Sequence, residues 1–333
     1  MEKFEIVIVG GGPAGLRAAE ILASKGKKVV VLEKKSMIGP KICAGGLTFN
    51  DFELGIPLSL VERIFPLIKV HFLEETIDIE SKGKSSFLVA TINRQKLGQW
   101  MAEQAEKKGA RIWTNSEVEK IEENCVILKN GKAIEFDYLI GADGSLSVVR
   151  KFLNLSTKNM LVTFQYVLPE NFDNLEIFLD KNLFNHGYAW IFPHKTQTFI
   201  GAGIDFRFQE VKKIKESLQT ILQKRKIDIS KAEIETYPIN YDYQGFDFGN
   251  KFLVGDAAGF APGFIGKGID CAIISGQEIA KKILDSNYNC PKIEKLLKYK
   301  TLLEKLGKPS LFKVLRSKTL TQIAIKKFCN LKI

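Results

Sequence analysis

The run Phe4-Glu-Ile-Val-Ile-Val9 is apolar at all positions but one and breaks into Gly10-Gly-Gly-Pro-Ala-Gly15. Apolar side chains then recur at helical spacing from Leu16 to Lys25, close at Gly26, and give way to a second apolar run, Lys28 to Leu32. This pattern predicts strand, glycine turn, helix and strand, a βαβ opening. Residues 94–108 predict an amphipathic helix. Short strands are predicted near 110–113, 117–122, 125–129 and 134–140. The Phe-, Tyr- and Leu-rich stretch 160–205 predicts mostly strands, and 209–226 predicts a helix. The strand Phe252 to Val254 leads into a glycine-rich turn and a helix over about 267–284. A β-rich middle between two glycine-rich strand-to-helix turns predicts a discontinuous domain built from 1–70, 91–156 and 246–290. Residues 71–90 and 157–245 are then the inserted substrate-binding sheet, and 291–333 a basic amphipathic helical tail.

The tail stands out when charge is added. The 333-residue chain carries a net +11, of which residues 291–333 supply +10 with 12 Lys and Arg against 2 Glu. The remainder is nearly neutral, which argues against a nucleic-acid surface on the body. Ile293, Leu296, Leu297, Leu303 and Leu306 share a helical face, and Leu311, Phe312, Leu315, Ile323, Ala324 and Phe328 follow Gly307 and Pro309. Two readings stay open: the stripe packs on the body with its lysines solvated, or it lies on an anionic membrane surface. Hydrophobic residues at 45% and charged residues at 26% exclude wholesale disorder. No uncharged apolar run approaches the roughly 18 residues of a spanning helix. Five scattered cysteines without a CxxC pair argue against a disulfide framework or a metal site and suit a reducing compartment. The expected location is cytoplasmic, and only the second reading of the tail adds peripheral attachment to the cytoplasmic membrane face.

Gly10, Gly12 and Gly15 form a GxGxxG that follows a strand and opens a helix, with Glu33 ending the next strand. Gly10 serves the tight turn, Gly12 the approach of a pyrophosphate to the helix N-terminus, and Gly15 close helix–strand packing. Pro13 and Ala14 complete the turn, and Lys34 follows Glu33. Glu33 can accept both hydroxyls of an adenosine ribose and repels a 2′-phosphate, so FAD or NAD is favoured over NADP. Two further corners select FAD. Gly141-Ala-Asp143-Gly144 follows the strand Tyr138 to Ile140, and Gly255-Asp256 follows Phe252 to Val254 and continues through Pro262, Gly266, Gly268 and Ile269. With Arg94 at the head of a helix, they suit an extended flavin dinucleotide. Asp256 is placed for a ribityl hydroxyl, and the helix N-terminus after Gly266 for the pyrimidine edge of the flavin.

These motifs resemble flavoproteins of the para-hydroxybenzoate hydroxylase fold. Tyr188-Ala-Trp190-Ile-Phe192-Pro193, seven residues before Gly201, is similar to the YxWxFPx7G signature of the geranylgeranyl reductase family, and Lys41-Ile-Cys43-Ala-Gly45-Gly46 to that family's cysteine–glycine segment. The resemblance runs from residue 1 to about 285. It implies an α/β fold: a Rossmann-like FAD-binding domain of glutathione-reductase type, an inserted antiparallel β-sheet substrate domain and C-terminal helices. It implies saturation of isoprenoid double bonds in a prenyl lipid by hydride from reduced FAD. NAD(P)H or ferredoxin is the implied transient reductant.

Tyr188, Trp190 and Phe192 alternate along a strand and so point to one face, suited to an apolar chain. Pro193 is expected to end that strand. Cys43, followed by Gly45 and Gly46, which allow close backbone approach to a ring, is one candidate proton donor. A thiol is a poor acid for an alkene, so water stands beside it. His71, His186 and His194 show no triad or ligand spacing, and His194 is expected at the surface. Lys267 occupies a place where the family pattern carries Glu. An oxygen-using aromatic hydroxylase or halogenase of the same fold and a membrane-bound flavin electron carrier are the competing readings.

Overall fold

A computed structural model of the chain describes residues 1–72, 75–81, 86–185, 187–263 and 265–306. His186 and the second apolar set of the tail, Leu311 to Phe328, lie outside them.

Five parallel strands form the centre, in the order Lys251–Leu253, Ala133–Gly141, Glu2–Val9, Val29–Leu32 and Arg111–Trp113. Ile6, Val7 and Ile8 in the middle strand are completely buried. A strand covered on both faces needs apolar side chains at successive positions, which is why Phe4–Val9 reads as a run and not an alternation. The hairpin Val118–Ile121 and Cys125–Leu128 extends the sheet through Ala133–Gly141. The helices Pro13–Ser24 and Ile269–Leu284 pack against each other. Their contact admits no side chain at Gly276, where a Cβ would lie 2.1 Å from the Ala14 carbonyl oxygen.

A seven-stranded sheet runs Glu233–Asn240, Met160–Leu168, Thr198–Asp205, Tyr188–Pro193, Leu175–Leu179, Leu67–Phe72 and Glu75–Glu80. Every pair is antiparallel but Leu175–Leu179 with Leu67–Phe72. Leu67–Phe72 thus crosses the boundary expected at residue 70. One face of the sheet buries Ala189, Ile191, Ile200, Ala202 and Ile204 against Ile214, Leu218, Ile221 and Leu222 of the helix Val211–Lys224. The other face looks toward the parallel sheet. A small third sheet is formed by Gly46–Thr48, Val89–Ile92 and Val61–Phe65.

The predicted helices form at Arg94–Lys107, Val211–Lys224 and Ile269–Leu284. The tail begins as the helix Pro291–Leu306, whose Ile293, Leu296 and Leu303 are buried against the body. Its lysines are not all solvated. Lys300 is 5% exposed and donates to the carbonyls of Tyr241 at 2.7 Å and Ala261 at 3.0 Å. Burial draws its pKa below the ordinary lysine value. No helix among the described residues is long and apolar enough to cross a membrane.

Candidate active site

A cavity of about 630 Å³ opens at the carboxyl ends of the parallel strands and is roofed by the free face of the seven-stranded sheet. Ligands of open α/β sheets bind at this end. All the residues expected to serve cofactor, substrate or catalysis line it except Gly15, Pro193, Gly201 and Pro262. Those four sit behind the wall. A Cβ at Gly15 would meet the Gly10 carbonyl oxygen at 2.3 Å, which is the helix–strand packing role expected of it. Gly201 lies under the Trp190 indole, 2.5 Å from where its Cβ would stand. Pro193 ends its strand and accepts from the Thr91 hydroxyl at 2.9 Å, and the Pro262 carbonyl accepts from the Gly266 amide at 3.0 Å.

The first corner needs glycine. Gly10 has φ of +104° and a Cβ there would strike the Ala142 carbonyl. The helix that follows starts at Gly12 without a side-chain cap, leaving its N-terminal amides to a ligand. Glu33 accepts from the Gly11 amide and from the Lys35 amide, each at 2.9 Å. Its carboxylate is therefore held in place by the turn it serves, with lone pairs left for a ribose. Arg94 is 9% exposed, takes part in no ion pair among the described residues, and has Nε and Nη1 buried without hydrogen-bond partners. A buried guanidinium without a carboxylate fits the pyrophosphate of FAD, and with the uncapped helix it makes the site suit that cofactor.

At the second corner, Asp143 accepts from the Val148 amide at 2.6 Å, and burial raises its pKa above the ordinary aspartate value. Gly144 at φ +78° turns the chain beside it. At the third, Asp256 is 9% exposed and pairs with Lys41 at 2.9 Å. Lys267, next to it, sits between Asp51 at 2.8 Å and Asp270 at 3.0 Å. Burial opposes its charge, but the two carboxylates outweigh that and hold it protonated well above the ordinary lysine range. Burial and the Asp270 charge in turn raise Asp51. The lysine in place of Glu is thus accommodated by two acids, and it links the short helix Phe49–Leu54 to the helix Ile269–Leu284.

The segment Cys43–Gly46 is packed closely against its protein neighbours. Gly45, at φ +72°, would place a Cβ 2.5 Å from the Ile92 carbonyl oxygen, and Gly46 would place one 2.3 Å from the Phe192 ring. These glycines admit protein neighbours. The surface position expected for His194 is corrected here: it is 2% exposed, with Nδ1 2.6 Å from Glu62 and Nε2 2.9 Å from the Ala44 carbonyl. It holds the loop that carries Cys43, whose sulfur accepts from the Gly45 amide at 3.4 Å.

Tyr188, Trp190 and Phe192 all face the cavity, while Ala189 and Ile191 between them enter the helix-covered core. The Tyr188 hydroxyl donates to the Ile265 carbonyl at 2.7 Å, joining the sheet to the third corner. Burial pushes its pKa far above that of an ordinary tyrosine. Sequence reasoning missed the rest of the roof: Ile68 and Val70, Leu161, Thr163 and Gln165, Ile177 and Leu179, Tyr237 and Ile239. Their spacing of two within each strand was the available signal.

The family described as FAD binding domain matches residues 3–301. An uncharacterized protein of Methanosarcina barkeri is 31% identical, over 86% of this chain and 76% of its own length. Digeranylgeranylglycerophospholipid reductase 1 of Methanosphaera stadtmanae is 28% identical, over 87% of this chain and 78% of its own. Among solved structures, a geranylgeranyl bacteriochlorophyll reductase-like protein of Thermoplasma acidophilum is similar at a TM-score of 0.75 and 22% identity, covering 100% of this chain and 89% of that one.

Proposed function

The chain belongs to the FAD binding domain family, and from that premise we propose that it is an FAD-dependent reductase that saturates the double bonds of a geranylgeranyl-type prenyl lipid. The observation that carries this reading is the continuity of one cavity from the three flavin-suited corners to an apolar roof. Bound FAD, once reduced, supplies the hydride. The protein's own part is to hold a long, uncharged chain dry against that cofactor. Ile68, Val70, Leu175, Ile177 and Leu179 offer no hydrogen bonds to a ligand side chain and match an isoprenoid chain in polarity. Tyr188, Trp190 and Phe192 add flat surface near Cys43. Each double bond takes up that hydride on one carbon and a proton on the other, the proton coming in this reading from the Cys43 thiol, which recovers its own from solvent, or from water. Relatives named as geranylgeranyl and digeranylgeranylglycerophospholipid reductases support the substrate class. NAD(P)H or ferredoxin reduces the flavin in this reading, from the solvent side.

The test is anaerobic. The FAD-loaded protein is reduced and mixed with geranylgeranyl lipids, and the products are weighed by mass spectrometry. Flavin reoxidation with a gain of two hydrogens per reduced bond is expected. Reduced flavin that ignores every prenyl lipid but is consumed by oxygen in the presence of an aromatic compound would favour the oxygenase reading.

A further inference from the structure

The turn after the strand Thr198–Asp205 presents its aromatics to solvent, while its half-exposed cation, Arg207, is tied to the buried carboxylate of Asp205. Arg207 donates from Nε to Asp205 at 3.0 Å and from Nη2 at 2.7 Å, and it also reaches Asn159 and the Tyr241 hydroxyl. The backbone is pinned as well: the Phe208 amide donates to the Asp205 carbonyl at 3.0 Å, and the Phe208 carbonyl accepts from Asn185 at 3.0 Å. On this rigid base Phe206 is 42% exposed, Phe208 48% and Val211 49%, with the Arg207 guanidinium stacked on one side of Phe208. Single exposed apolar residues need no explanation, but three within six positions on a fixed turn do.

The lysines around them outnumber the acids: Lys181, Lys212, Lys213 and Lys215 are exposed and in no ion pair among the described residues, against Asp180, Glu210 and Glu216. Aromatic side chains that seat at headgroup depth, ringed by lysines that meet lipid phosphates, are the two signals of interfacial attachment. We propose that the Phe206–Lys215 corner is a docking surface for the anionic face of a lipid bilayer. It does not depend on which lipid the cavity takes. The turn also lies one side chain from the cavity region. Arg207 bonds Tyr241, whose ring fills the space beside Gly263, two residues from the cavity-lining Ile265.

The experiment uses the full FAD-loaded chain and sedimentation with vesicles of phosphatidylcholine, with and without phosphatidylglycerol. The wild type is expected to bind the mixed vesicles, less so as salt rises. Phe206→Ser with Phe208→Ser should weaken that binding at least about tenfold while flavin content and melting temperature stay unchanged. Lys212→Glu with Lys213→Glu should remove the preference for phosphatidylglycerol. A wild type that does not sediment, or a phenylalanine double variant that binds as the wild type does, overturns the proposal. So does a wild type that runs as a dimer and becomes monomeric in that variant with vesicle binding intact, since a second copy would then be the occupant.

Discussion

The Lys41 ammonium lies 2.9 Å from a carboxylate oxygen of Asp256, 215 residues further along the chain. The pair fastens the cysteine–glycine loop to the third flavin corner, and Lys41 also faces the Tyr237 ring at 5.0 Å. Burial opposes the lysine charge, yet Asp256 outweighs it and the pKa is raised above 10.5. Lys41→Met should therefore cost about 1–3 kcal/mol at neutral pH, read by urea denaturation. A raised lysine stabilises below its unfolded value and loses that contribution as pH climbs through the folded one. The gap between wild type and variant should close above pH 10.5.

Lys267 separates two acids that are almost fully buried, Asp51 at 3% and Asp270 at 2% exposure. Lys267→Met leaves them facing each other without a cation, a loss of about 3–5 kcal/mol at neutral pH. The deficit should shrink as pH falls, because a carboxyl raised by burial and by its neighbour takes up its proton earlier than an ordinary aspartate near 3.8. Denaturant midpoints of both proteins at pH 7 and pH 5 measure this. A deficit that does not change with pH would place its cause elsewhere.

Arg94 has a different signature. Its guanidinium is buried without an acid, so removing it costs the apoprotein little while depriving a pyrophosphate of its cation. Arg94→Met is expected to weaken FAD about 10- to 100-fold, measured by quenching of flavin fluorescence, with the melting temperature of the flavin-free protein held or raised.

The adjacent glycines should separate in a simple pair of variants. Gly45→Ala combines φ of +72° with a backbone oxygen at 2.5 Å, which cannot yield easily. A loss of about 2 kcal/mol or more is expected. Gly46→Ala meets only the edge of the Phe192 ring, and that ring can turn away into the cavity. Its fold and flavin content should survive while prenyl substrate binds more weakly. Thermal melts and a substrate titration distinguish the two.

The elements that could be read along the chain were those whose cause is local. Apolar runs marked the doubly covered strands, glycines with positive φ marked the corners, and the alternation of Tyr188, Trp190 and Phe192 matched their common side of the sheet. What stayed hidden depended on distant partners. His194 follows a proline and reads as a loop residue, but Glu62 and Ala44 reach it from 132 and 150 positions away and bury it. Lys300 looks like one solvated lysine among many until the carbonyls of Tyr241 and Ala261 surround it. The helix Gly255–Ala258 spans only four residues, too few for any periodicity to register.

The missing side chain at Gly276 has a mechanical consequence. Because two helix backbones touch there, the first and third corners are welded into one block and cannot hinge apart. Any breathing of the cavity is left to the roof. The phenol of Tyr188, bonded to the Ile265 carbonyl, ties that roof to the same block.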